Sequence, residues 1–155
     1  MPPHIVEITR REEFSASHRL DNPELSPEEN QRLYGICNNP HGHGHNYEIE
    51  VTVRGRVSDR TGMVMNLIDL MAMVTEKVIR QVDHKHLNHD VSFLEGVIPT
   101  AENLAVAFWD QLESELAEQN DACHLYRIRL FESRSNFVEY YGPKSSPSPT
   151  SSASS

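Results

Sequence analysis

The chain has 155 residues, of which 37% are hydrophobic, and carries a formal charge of -9. That length suits one ordinary domain and is short for two, while the acidic balance excludes a general nucleic-acid binder, which needs a basic face against phosphates. No run approaches the roughly 18 apolar residues of a membrane span, and the opening MPPHIVEITRREEF lacks the apolar stretch of a signal peptide, so a cytoplasmic protein is expected. Its two cysteines, Cys37 and Cys123, stand in unlike contexts, which argues against a disulfide framework and for reading each thiol separately.

The first predicted strand covers residues 4 to 19. Val6 and Ile8, then Phe14, Ala16, His18 and Leu20, share parity, and RREE is a place for a bulge. SPEENQRLYG, residues 26 to 35, suits a short helical turn, because Ser26 can cap it and Pro27 fits the first helical position. The clearest strand follows, with His45, Tyr47, Ile49, Val51 and Val53 on one face and Asn46, Glu48, Glu50, Thr52 and Arg54 on the other. A helix begins near Asn66 as its N-cap and ends near Asp83-His84, with Leu67, Leu70, Met71, Val74, Val78, Ile79 and Val82 on one stripe. Pro99-Thr100 opens a second helix carrying Leu104, Phe108, Leu112 and Leu116. Residues 124 to 132, with Tyr126, Ile128, Leu130 and Glu132 on one face, and residues 136 to 141 form a hairpin across the polar turn SRSN.

The order is ββααββ, an α+β domain over residues 1–142. After Gly142 the segment PKSSPSPTSSASS has no large apolar residue, so residues 143–155 are expected to be a disordered Ser/Pro-rich tail. Its Ser146-Pro147 and Ser148-Pro149 pairs could take phosphate, although a plain solvated tail accounts for the composition.

The chemistry concentrates in CNNPHGHGHNY, residues 37 to 47. Residues two apart on a strand point the same way, so His43 and His45 can offer two imidazoles to one ion, with a glycine between them leaving room. His18 lies in the inward register of the first strand and is the candidate third ligand. Three neutral imidazoles favour zinc over magnesium or calcium and leave a fourth position open, the pattern of catalytic zinc. HGHGH also offers a second register, His41 with His43, and only the continuity of the strand favours His43 with His45.

FSASHRL, CNNPHGHGHNYEIEVTV, TGMVMNLIDL, DHKHLN, PTAENLA and FES follow in the order seen in the 6-pyruvoyl-tetrahydropterin synthase family, and the chain resembles it over roughly residues 5 to 142. The resemblance implies a T-fold subunit, an antiparallel four-stranded sheet with two helices on one face. It also implies a homohexamer, a dimer of trimers in which each trimer closes its strands into a barrel, with active sites at subunit interfaces. The family's zinc ligands, one ion per subunit, fall on His18, His43 and His45, which leaves His41 as a polar neighbour.

The activity the resemblance implies is a lyase reaction of tetrahydrobiopterin biosynthesis. It converts 7,8-dihydroneopterin triphosphate to 6-pyruvoyl-tetrahydropterin with elimination of triphosphate, and magnesium accompanies the substrate's phosphates. In that scheme Cys37 is the proton acceptor, while Asp83 orients His84 to assist it; read alone, that pair would only cap a helix end. Glu132 holds the pterin through its paired N–H donors, where an internal salt bridge to arginine is the plainer reading. Thr100 and Glu102 carry over as pterin contacts, although Ala101 departs from the hydroxyl often found there. His86 and His89 are left to solvent.

Two alternatives stay open. One is 6-carboxytetrahydropterin synthase of queuosine biosynthesis, a branch with three residues between the cysteine and its first zinc histidine, where Cys37 and His43 here have five between them. The other is a zinc-stabilised binding protein without catalysis.

Overall fold

A computed structural model describes residues 3–120 and 122–144, so most of the predicted tail, residues 145–155, lies outside the described residues. Two 14-residue strands, β1 (Ile5–His18) and β2 (His43–Arg56), pair antiparallel in one unbroken register from Ile5 opposite Arg56 to His18 opposite His43. No bulge interrupts RREE. Arg10 and Glu12 occupy the inward parity and bond to each other at 2.5 Å, so opposite charges satisfy one another on that face and the strand has no need to slip.

Between these strands, α1 (Pro27–Tyr34) starts at Ser26, whose side chain and that of Glu29 form a reciprocal capping box, and a 3-10 turn, Gly35–Asn38, follows it directly. After β2, α2 (Leu67–Val74) is capped by Asn66. It runs through a wide π turn, Thr75–Ile79, into α3 (Arg80–Val82). Leu70, Val74, Val78 and Val82 are all fully buried at four-residue spacing. On a regular helix that spacing drifts around the axis, and the wide turn, with more residues per revolution, keeps the series against the sheet. Leu67 and Met71, predicted for the same stripe, are instead exposed, and Met73 takes the core position. The second predicted helix is α4 (Ala101–Gln119), with Thr100 as N-cap and Leu104, Phe108, Leu112 and Leu116 buried.

The sheet has five strands rather than four. Lys85–His86 forms a two-residue strand, β3, parallel to β1 at Ala16 and Ser17, and the order is β3-β1-β2-β4-β5 with β4 (Cys123–Phe131) and β5 (Phe137–Tyr140). β4 also departs from strict alternation. A bulge opposite Thr52 and Val53 leaves Tyr126 without a partner, so Leu125 and Cys123 point into the core and Tyr126 turns out over Tyr141 and Arg54.

One sheet face packs on the helices, with Phe14 stacked on Tyr47 at 4.8 Å and set edge-on to Phe108 at 5.9 Å. The opposite face is polar and partly buried. There Glu50, only 5% exposed, bridges Arg11 of β1 and Arg129 of β4, and the Thr9 and Thr52 hydroxyls bond at 2.8 Å. No helix among the described residues is long and apolar enough to cross a membrane.

Candidate active site

The register that pairs His18 with His43 and Ala16 with His45 brings three imidazoles to one end of the sheet on its helix-facing side. Their ring centroids lie 4.7 to 5.1 Å apart, and one ligand atom from each can be chosen so that all three lie within 4.8 Å of one another. His18 Nε2, His43 Nδ1 and His45 Nε2 are all buried and have no hydrogen-bond partner among the described residues. Unpaired buried polar atoms are costly, and three converging lone pairs are what a tetrahedral metal ion requires on three of its sides. His18 Nδ1 donates to the Pro99 carbonyl at 2.8 Å, which fixes the tautomer and leaves Nε2 free to ligate.

Burial is the main force that holds His18 and His45 below the usual imidazole pKa, against the upward pull of Glu132 on each and of the Pro99 carbonyl on His18. Both rings are therefore neutral at physiological pH, the state a ligand needs. His41 is exposed and stands outside the group, so the two registers of HGHGH resolve to His43 and His45. The essential glycine is Gly42 rather than Gly44. Gly42 has φ 73°, and a Cβ there would meet the His18 carbonyl at 2.6 Å, whereas one at Gly44 would find only Ala16 O at 3.6 Å.

Glu132 follows β4 directly, and its Oε1 lies 3.8 Å from His45 Nε2. Among the described residues no arginine or lysine pairs with it and its near neighbour is that neutral imidazole, so the carboxylate keeps most of its bonding capacity unused. Tyr47, 1% exposed, completes the wall with its hydroxyl 3.4 Å from His18 Nδ1. Burial pushes its phenol far up, and Glu132 and Cys37 add to that. Tyr47 shares strand parity with His43 and His45, but no motif in the sequence marks it as a site residue.

Cys37 sits half-buried in the 3-10 turn, with its carbonyl accepting from the Leu20 amide at 2.8 Å. Thr100 spends its hydroxyl on the Asn103 amide as the cap of α4, next to the Pro99 carbonyl that holds His18, and Glu102 is exposed in the first turn. His86 is not simply solvated. It stacks on His89 at 4.5 Å and packs its Nε2 against Gly42.

Asp83 and His84 are joined, with Oδ2 3.1 Å from Nδ1, but they lie elsewhere. The Ser15 amide donates to Asp83 Oδ1 at 2.9 Å, the main reason that carboxyl is held below the usual range, with His84 contributing. The pair lines a cleft at the β1 edge with Glu13, Ser15, Asn46, Tyr47 and Glu48, and His84 also lines a neighbouring cleft with Ala16 and His45. His84 has φ 60°, unusual for a residue with a side chain, and its ring is 82% exposed. One chain thus unites His18, His43, His45, Tyr47 and Glu132, while Asp83-His84 lies beside the β1 edge at Ser15, outside that group.

These features define an α+β fold with a candidate three-histidine metal centre beside the Glu132 carboxylate. The family model described as 6-pyruvoyl tetrahydropterin synthase matches residues 7–143, and the chain belongs to that family of enzymes. The 6-pyruvoyl tetrahydrobiopterin synthase of Poecilia reticulata is 50% identical over 135 residues, 87% of this chain and 89% of that one. The human protein of the same name is 46% identical over 137 residues, 88% and 92% of the two chains. The solved 6-pyruvoyl tetrahydropterin synthase of Caenorhabditis elegans matches with a TM-score of 0.84 at 38% identity, covering 90% of this chain and 97% of that one, so the subunit has the T-fold.

Proposed function

We propose that the protein is a zinc-dependent lyase that converts 7,8-dihydroneopterin triphosphate to 6-pyruvoyl-5,6,7,8-tetrahydropterin and triphosphate, in the cytoplasm and within tetrahydrobiopterin biosynthesis. The observation that carries this reading is the convergence of three buried, partnerless imidazole nitrogens beside the Glu132 carboxylate. His18, His43 and His45 fit zinc in number, neutrality and donor type, and when bound the ion supplies Lewis acidity to the substrate side chain.

Glu132 accepts two parallel N–H bonds from the pterin, fixing the ring so that its side chain lies toward the histidines. Thr100 and Glu102 add pterin contacts at the head of α4. Cys37 takes the proton that leaves carbon, and the Asp83-His84 pair, which lies at the β1 edge outside the group formed by the three histidines, assists it from a neighbouring copy. Magnesium accompanies the triphosphate. The folded catalytic unit runs to residue 142.

Assembly into a homohexamer of two barrel-forming trimers follows the same logic. β3 covers only Ala16 and Ser17 of one edge of β1, and Ile5, Val6 and, at the other side of the sheet, Phe137 are exposed. Long unpaired edges with exposed apolar residues favour strand pairing between copies, and ring closure removes them.

The test is to incubate the purified protein with 7,8-dihydroneopterin triphosphate and magnesium and to identify both the pterin product and free triphosphate. Absence of triphosphate release sinks the proposal. Acetaldehyde beside a carboxylated pterin selects the 6-carboxytetrahydropterin synthase reading, and stoichiometric zinc without any turnover selects the non-catalytic one.

A further inference from the structure

The turn that carries Cys37 is tied to the strand end that carries His18 by two side-chain amides. Asn38, 9% exposed, donates from Nδ2 to the Leu20 carbonyl at 2.8 Å and to Asp21 Oδ1 at 2.9 Å. The Leu20 amide donates to the Cys37 carbonyl at 2.8 Å, and Arg19 Nε to the Asn38 carbonyl at 3.1 Å. Asn88 also grips this segment. Its Oδ1 accepts from the Arg19 amide and its Nδ2 donates to the Arg19 carbonyl, both at 2.8 Å. β3 ends at His86, so the Asn88 side chain supplies the donor and acceptor that a longer strand would have offered. The Asn88 amide is itself held by His86 Nδ1 at 3.2 Å.

Cys37 itself sits in a turn closed by the Asn39 amide donating to the Ile36 carbonyl at 3.2 Å. Its turn has only four residues, and the preceding Ile36 is 88% exposed, so the Ile36 side chain adds no packing anchor. We infer that Asn38 and Asn88 are positioning residues that set the Cys37 thiol relative to the His18, His43 and His45 centre, an inference that rests on Cys37 being the proton acceptor. Both amides act with fixed polarity. An aspartate at position 38 would turn a donor into a carboxylate facing the Leu20 carbonyl and Asp21, and one at position 88 would lose the bond to the Arg19 carbonyl. Proton transfer from carbon demands close placement of the acceptor, and a displacement of about 1 Å costs on the order of 100-fold in rate.

The experiment compares full-length wild type with Asn38→Asp, Asn38→Ala and Asn88→Asp in three measurements. These are zinc per chain, kcat and KM with 7,8-dihydroneopterin triphosphate, and the rate at which iodoacetamide alkylates Cys37, read by peptide mass. The expected result is full zinc content, kcat lowered by roughly 10- to 100-fold with KM changed by less than about twofold, and a Cys37 alkylation rate altered several-fold. Asn38→Asp should be no better than Asn38→Ala, because it restores size without the donor. Wild-type kcat and alkylation rate in the folded variants would overturn the inference, as would kcat and zinc falling together, which marks the amides as supports of the fold. A variant that fails to fold leaves the other two to decide. Wild-type protein without turnover defeats the catalytic reading instead, and the alkylation rates still report whether the amides position the thiol.

Discussion

His43 and Cys37 separate two roles that a single loss of activity would confuse. Replacing His43 with alanine leaves two imidazoles where three converge, too few to retain the ion, so zinc measured by atomic absorption should fall from about one per chain to a small fraction. Cys37→Ala removes no ligand and should keep full zinc while abolishing product formation; zinc lost from this variant would place the thiol in the metal site itself. Acidity offers a second handle. His18 and His45 have their pKa values lowered by burial, so on acidification the unfolded chain binds protons first. Their contribution to the stability of the metal-free protein is therefore fully present above about pH 6.5 and is lost as the pH falls from there toward the folded values. Zinc should likewise persist to lower pH than on exposed histidines, and half-occupancy at or above about pH 6.5 at micromolar free zinc would contradict the burial argument.

At the scale of elements, what could be read from the chain was whatever repeats. β2 alternates strictly, α4 carries Leu104, Phe108, Leu112 and Leu116 on one side, and Ser26, Asn66 and Thr100 each cap the helix expected of them. Features made by tertiary pairing left no periodic trace. β3 exists because His84 turns the chain with positive φ beside Ser15, and the β4 bulge exchanges Tyr126 for Leu125 within an otherwise regular apolar run. Thr100 belongs to this scale too, since its hydroxyl caps α4 as well as standing near the centre. Thr100→Ala should cost about 1 kcal/mol in urea denaturation through the lost cap, and if Thr100 also touches the pterin its KM should rise while Thr100→Ser keeps both. The Asp83 carboxylate joins the end of α3 to β1. Its folded pKa is depressed, so its contribution is present above about pH 4 and lost as the pH falls through the folded value. The stability difference between wild type and Asp83→Asn should be flat above about pH 4 and shrink below it; a difference that grows on acidification would reverse the sign.

At the scale of the molecule, the placement of Asp83-His84 bears on how many chains the proposed active site draws on. The histidines, Tyr47 and Glu132 were legible as one face because alternation places them together. The placement of Asp83-His84 was not legible, because sequence proximity to a helix end does not reveal which strand edge the next turn meets. Asp83 and His84 bond the Ser15 backbone at the β1 edge, where strand N–H and C=O groups lie in the plane of the sheet, whereas His18 projects its ring from one face toward His43 and His45. If His84 serves Cys37, it serves the Cys37 of another chain. Chains carrying Cys37→Ala and chains carrying His84→Ala should each be inactive or nearly so, yet oligomers formed from an equal mixture contain sites that draw both intact residues from different chains. Random assembly makes about a quarter of the sites intact, so co-refolded or co-expressed mixtures should recover roughly a quarter of the wild-type rate. Mixtures that stay as inactive as their parents, with mixed oligomers demonstrated by native mass spectrometry, would mean that each chain supplies its own relay and that the sheet must rearrange to allow it.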